Sequence, residues 1–128
     1  MSIYDLDLDK NPANYQPLSP LSFLFRSRNV YPEQVAISYK KIQRSYSEAA
    51  RRCDLLSNAI ISNGIFKNET VAVMLPNIPE MWECHFGIPM SGSVLNAINT
   101  RLDAKTIEFM LKHGEAKLLI YDSEYSLI

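Results

Sequence analysis

Three short apolar runs limit most strongly what this chain can fold into. Glu69 to Leu75 contains Thr-Val-Ala-Val-Met-Leu, Val94 to Ile98 reads Val-Leu-Asn-Ala-Ile, and Lys117 to Tyr121 reads Lys-Leu-Leu-Ile-Tyr. A run that is apolar at consecutive positions suits a strand buried on both faces of a parallel sheet. The intervening segments, about 79–91 and 103–113, have helical length. Strands that alternate with helices imply right-handed crossovers and a parallel sheet. From residue 69 the order is therefore β-α-β-α-β. The expected fold class is α/β, a parallel doubly wound sheet in three layers, with 70–75, 94–98 and 117–121 as parallel neighbours.

The N-terminal third reads differently. Pro12, Pro17 and Pro20 forbid a helix across residues 1–18, which are expected to form an extended arm with Tyr15 and Leu18 as anchors. Ser19 before Pro20 marks a helix start, Leu21, Leu24 and Phe25 supply its apolar face, and Tyr31-Pro32 ends it. Val35 to Tyr39 and Arg44-Ser45-Tyr46 read as the arms of a hairpin. Lys40, Lys41 and Arg44 surround its turn, either as an anion site or as a solvated basic cluster. Ser47 is the expected N-cap of a helix reaching about Asn63. Its inner face is Ala49, Cys53, Leu56 and Ile60, with Gly64 just beyond. Downstream, Pro89 kinks or ends one helix. Asp103 caps the next, Glu108 and Lys112 pair on its outside, and His113 and Gly114 close it. Asp122-Ser123 looks like the start of another helix.

Charge and composition exclude several function classes. Thirteen basic against fourteen acidic residues leave a net charge of −1, with no electrostatic footprint for nucleic acid. The longest apolar run, Val71 to Leu75, is far shorter than the roughly 20 residues of a membrane helix. The acidic start, Met1-Ser-Ile-Tyr-Asp-Leu-Asp, has no apolar stretch of a secretory signal. The two cysteines, Cys53 and Cys84, fall on apolar helical faces and read as buried free thiols. His85 and His113 lie in no zinc pattern.

The chain has a nucleotide-type fold without nucleotide machinery. Its four glycines, Gly64, Gly87, Gly92 and Gly114, form neither G-x-x-x-x-G-K-[ST] nor G-x-G-x-x-G. Met90-Ser-Gly-Ser93 resembles a nucleophile elbow but sits at a helix-to-strand turn, the reverse of what the elbow requires. His85 is either a base or a packed, hydrogen-bonded histidine. Trp82 and Phe86, four apart, read as core or as a ligand cage. Asn99-Thr100-Arg101 follows the second strand at its carboxyl end, where open α/β sheets bind ligands. It either touches an anionic ligand or merely turns the chain.

Three stretches together carry a family resemblance: Pro76-Asn77-Ile-Pro79-Glu80-Met81, His85-Phe86-Gly87-Ile-Pro89-Met90-Ser-Gly92-Ser-Val94-Leu95-Asn96, and Asn99-Thr100-Arg101-Leu102-Asp103. They resemble the N-terminal portion of acyl-CoA synthetases of the adenylate-forming (AMP-binding) superfamily. The opening, Asn14-Tyr15-Gln-Pro17-Leu18-Ser19-Pro20-Leu-Ser22-Phe23-Leu24, with Tyr31-Pro32, is similar to the medium-chain and plant-type acyl-activating branch. The resemblance runs over about residues 11–125.

The resemblance implies that residues 19–128 are the N-terminal part of an AMP-binding domain, an incomplete first subdomain truncated at its C-terminal end. It implies a parent ligase that activates a fatty or other carboxylic acid as an acyl-adenylate and transfers it to coenzyme A, using ATP and Mg2+. Catalytic residues would lie downstream of residue 128, so neither a catalytic nor a metal-binding residue is assigned here. Asn99, Thr100 and Arg101 would line the coenzyme A channel. The fragment alone is expected to hold no cofactor tightly, to be inactive, and to self-associate through an exposed sheet edge. The expected compartment is cytoplasmic, or peroxisomal if a C-terminal signal exists downstream. The rival reading is a free-standing, non-catalytic binding module derived from the same family.

Overall fold

A computed structural model describes residues 6–7, 9, 11–13, 15–16 and 18–127. Half of the expected arm, residues 1–5, 8, 10, 14 and 17, lies outside these residues. Leu18, expected to anchor it, is 94% exposed and anchors nothing.

Helix α1, Pro20–Val30, begins as its sequence predicts, with the Ser19 hydroxyl accepting the Leu21 N–H. Strands β1, Val35–Tyr39, and β2, Ile42–Ser45, form an antiparallel hairpin. Helix α2 spans Tyr46–Ser62, and its N-cap is Ser45 rather than Ser47. The Ser45 hydroxyl accepts the Glu48 N–H at 3.2 Å. Ser45-x-x-Glu48 has the spacing of a capping box, a signal stronger than the lone serine at 47.

The second half forms the sheet. Strands β3, Thr70–Met74, β4, Val94–Ala97, and β5, Ala116–Tyr121, are all parallel, in the order β4-β3-β5. Helix α3, Pro79–Met90, connects β3 to β4, and α4, Ala104–His113, connects β4 to β5. The chain therefore steps from β3 to one side and then crosses to the other. The helices flank the sheet in three layers. On one face Val71 and Val73 pack with Ile60 of α2 and Cys84 and Ile88 of α3. On the other, Ala72 and Met74 pack with Ile98, just after β4, and Ile107 of α4. Each fully buried Val or Ile contributes about 1.5–3 kcal/mol, so this layering around β3 dominates the fold.

Burial on both faces holds for β3 but not for β5. In β5 half-buried and exposed residues alternate, with Leu118 and Ile120 against the core and Lys117, Leu119 and Tyr121 outward on the opposite face. Composition does not distinguish the two strands; position in the sheet does, because β3 is central and β5 is an edge. After β5 the chain makes a 3-10 turn, Ser123–Tyr125, capped by Asp122, where a further helix was expected. Among the described residues, no helix is long and apolar enough to cross a membrane.

Two glycines are required by close approach. A Cβ on Gly87 of α3 would stand 2.8 Å from Leu56 Cδ2 and 3.1 Å from the Cys53 carbonyl, so Gly87 lets α2 and α3 touch. A Cβ on Gly114 would stand 2.9 Å from Asn96 Nδ2. Gly114 itself keeps φ −81°, and the left-handed turn after α4 falls on Glu115 at φ 50°. Gly114 is thus a packing glycine against β4 rather than a conformational one.

Candidate functional site

In a parallel sheet whose chain reverses direction at its first strand, the loops at the carboxyl ends diverge and leave a crevice. Here those loops are Leu75–Ile78 after β3, Ile98–Leu102 after β4 and Asp122–Tyr125 after β5. They lie along one edge of the sheet, held by backbone bonds from Ile98 N–H to Val73 and from Asp122 N–H to Met74.

Asn99, Thr100 and Arg101 take separate tasks in this edge. The Asn99 side-chain oxygen accepts the Arg101 N–H at 2.9 Å, and its carbonyl accepts the Leu102 N–H, so Asn99 shapes the turn. Thr100 of the β4 loop acts on the Tyr125 phenol of the β5 loop, lowering its pKa. The neighbouring Glu124 carboxylate outweighs Thr100 and holds the Tyr125 phenol above its usual range. Arg101 is exposed, and its guanidinium pairs with no carboxylate among the described residues. Next along the chain Asp103 caps α4, accepting the Thr106 N–H at 3.0 Å and its hydroxyl at 2.9 Å, which lowers the Asp103 pKa. Of the expected trio, Asn99 shapes the turn and Arg101 presents an exposed guanidinium that pairs with no carboxylate among the described residues.

A cavity of about 720 Å³ opens between the β3 and β5 loops and α2. Its polar wall is an ion cluster that the sequence reading missed. The buried Glu83 carboxylate accepts from Arg44 and, at 2.6 Å, from Arg52 Nε. Glu80 pairs with the same arginines at 3.2 and 3.8 Å. The bond to Glu83 raises the Arg52 pKa. Arg44 is therefore neither an anion site nor a solvated turn residue; its side chain is 11% exposed and tied to α3. Two carboxylates against two guanidiniums leave no free charge for a metal ion or a proton transfer. A legible signal existed: Glu80 and Glu83, three apart on an otherwise apolar helix, require cationic partners.

The remaining candidates carry less chemistry. His85 is exposed rather than packed, and its Nδ1–H donates to the Met81 carbonyl at 2.8 Å. Trp82 and Phe86 stand 4.5 Å apart and lean on the core of Leu24, Ala50 and Cys53. Their other side lines an open apolar groove with Ile37, Tyr39 and Ile78. Cys53 and Cys84 are free and buried, and burial pushes their thiols up to about 12 and about 11. Among the described residues no three His, Cys, Asp or Glu side chains could hold a metal ion.

The sequence pattern of AMP-binding enzymes matches residues 24–127. The chain belongs to this family. Among relatives of this AMP-binding chain, 2-methylpropanoate–CoA ligase CCL4 of Humulus lupulus is 44% identical over 116 residues. That alignment covers 91% of the chain and 21% of the relative. The peroxisomal trans-cinnamate:CoA ligase of Petunia hybrida is 45% identical over 93% of the chain and 21% of its own length. The chain thus spans about a fifth of these relatives. Its fold is shared with the N-terminal subdomain of Klebsiella oxytoca NpsA, at TM-score 0.76 and 21% identity, covering 84% of the chain and 28% of that structure. O-succinylbenzoate coenzyme A synthetase of Bacillus subtilis is similar at TM-score 0.76 and 22% identity, over 80% of the chain and 22% of that structure. The AMP-binding chain therefore has the fold of an adenylate-forming N-terminal subdomain: a parallel three-stranded sheet between helical layers.

Proposed function

We propose that this chain is the opening part of the adenylating domain of an ATP-dependent acyl-CoA ligase. In that reaction a carboxylate attacks the α-phosphate of ATP and releases pyrophosphate; the thiol of coenzyme A then attacks the acyl-adenylate and releases AMP. The observation that carries the reading is 44% identity, over nine-tenths of the chain, to a plant ligase named for such a reaction. Arg101 is assigned to the coenzyme A channel. It has the attributes that an anion contact needs: a fixed strand-end turn, exposure and no competing carboxylate. Asn99 positions it through the turn, and Thr100 stands beside it in the same loop.

The reading assigns residues 1–128 no turnover of their own. They contain no glycine-rich phosphate loop. Their paired carboxylates are neutralised by Arg44 and Arg52. Adenylation depends on holding the triphosphate and placing the acid in line, and those tasks fall to other parts of the ligase. The parent is assigned to the cytoplasm, with delivery to peroxisomes if it carries a C-terminal signal. The Petunia relative is named as peroxisomal.

A chimera tests the reading. Residues 19–127 replace the aligned segment of the hop 2-methylpropanoate–CoA ligase, and acyl-CoA formation is measured. Retained turnover supports a ligase subdomain. A folded chimera lacking both half-reactions favours the non-catalytic module.

A further inference from the structure

We propose that Asn63–Gly64 is a self-modification site, an intramolecular deamidation that the C-terminal cap of α2 holds closed. Among the asparagines of the chain only Asn63 precedes a glycine. In such a pair no Cβ shields the glycine nitrogen, which can attack the neighbouring carboxamide. The Gly64 N–H gives its proton to hydroxide, and the nitrogen forms a bond to Asn63 Cγ. The Cγ–Nδ2 bond breaks, and that nitrogen leaves as ammonia. Water then opens the cyclic imide at one of its two carbonyls. The product is an aspartate, or an isoaspartate whose main chain runs through the former side-chain carboxyl. Water is the only co-reactant, and both reacting groups belong to consecutive residues.

The fold holds these groups apart through a Schellman cap. The Ile65 N–H donates to the Ile60 carbonyl at 3.3 Å, and the Gly64 N–H to the Ile61 carbonyl at 3.0 Å. Gly64 adopts φ 77°, the left-handed conformation that ends the helix, while an added Cβ there would meet nothing within 4 Å. Backbone conformation, not space, therefore requires glycine at 64. The bond that closes the cap also occupies the attacking N–H. The Asn63 carboxamide donates from Nδ2 to the Ala59 carbonyl at 2.8 Å, which holds the electrophile back along the helix. Ring closure needs the Asn63 Cβ and the Gly64 nitrogen eclipsed about the Cα–C bond. At Asn63 ψ 10° the Gly64 nitrogen instead nearly eclipses Asn63's own nitrogen.

Opening of the last turn alone undoes all of these restraints, because a helix end frays at far lower cost than a domain unfolds. Ile65 opposes that opening, since it is buried in one core cluster with Ile60, Val71 and Val73. The modification, once made, removes its own restraint. An aspartate at 63 lacks the donor to Ala59 and sets a negative charge at the negative end of the helix. An isoaspartate adds a methylene to the main chain between the two residues and displaces Ile65 from Ile60. The step therefore couples a change at the cap to the core beneath it.

Peptide mapping of the 128-residue chain, incubated at mildly alkaline pH, tests the proposal with aspartate and isoaspartate at position 63 as the readout. In urea, deamidation is expected at Asn63 before any other asparagine. In the folded chain it is expected to run at least about tenfold more slowly. Ile65→Ala weakens the cap without altering the reacting pair and is expected to bring the folded rate toward the rate in urea. Ile107→Ala, on the opposite face of β3, loses core packing without touching the cap and is expected to leave the folded rate unchanged. Circular dichroism checks that each chain stays folded during incubation. Equal rates in the folded chain and in urea would overturn the closure, and no reaction at 63 in urea would overturn the site. Equal acceleration by Ile65→Ala and Ile107→Ala would make global unfolding the gate and overturn the role of the cap. A folded Ile65→Ala chain that reacts no faster than wild type would overturn it as well.

Discussion

Arg44 on the hairpin and Glu83 on α3, 39 positions apart, form an ion pair buried between those elements. Arg52 of α2 joins the same carboxylate, so one side chain ties three elements together. Removing Glu83 leaves Arg44, 11% exposed, without its main partner. Breaking one side of a buried pair costs about 3–5 kcal/mol, far more than a surface pair. Glu83→Ala is therefore expected to lower the unfolding free energy by about 3 kcal/mol in urea titrations. A change comparable to that of Glu108→Ala, whose pair with Lys112 is exposed, would refute the clasp.

Gly87→Ala sets two effects against each other. Helix propensity favours alanine by about 1 kcal/mol. The added Cβ would press on Leu56 and on the Cys53 carbonyl, and a backbone oxygen cannot step aside cheaply. Overpacking of this kind costs about 1–3 kcal/mol, so a net loss is expected, read as a lower melting temperature. A stabilised variant would mean that α2 and α3 are free to separate.

The two candidate caps of α2 make opposite forecasts. Ser45→Ala removes the oxygen that accepts the Glu48 N–H and is expected to cost about 1 kcal/mol. Ser47→Ala changes an exposed residue inside the first turn and is expected to cost almost nothing. Paired chemical denaturation curves decide between them.

The buried thiols predict a direction in alkali. Both ordinarily titrate at 9.0, and in the fold Cys53 and Cys84 rise to about 12 and about 11. Between those values the folded chain binds more protons than the unfolded one, so stability falls as pH rises above about 9. Below that pH both states hold the proton and the contribution is complete. Replacing both cysteines with alanine is expected to flatten this alkaline decline. Native thiols are expected to resist alkylation at neutral pH and to react fully in urea. Rapid native labelling would contradict the burial.

Arg101→Ala in a ligase containing this segment separates the two half-reactions. Coenzyme A-dependent turnover is expected to fall roughly tenfold, the scale of one charge-assisted contact. ATP–pyrophosphate exchange is expected to hold. Equal losses in both would make Arg101 a loop residue only.

The sequence by itself determined the element order. Its apolar runs, prolines and caps are local signals, and they read correctly for α1, the hairpin and the β-α-β-α-β half. It also placed Asn99, Thr100 and Arg101 after a strand, at the sheet's carboxyl edge. Tertiary structure decided three things that local chemistry does not contain. Strand order made β3 central and β5 an edge, although both runs are apolar. The close approach of α2 and α3 at Gly87, where an added Cβ would stand 2.8 Å from Leu56, used glycine for proximity rather than for a turn. Burial converted Arg44, which looks like a solvated turn residue in sequence, into the partner of Glu83. Sequence periodicity registers which face of an element is apolar; only the assembled fold decides what lies against that face.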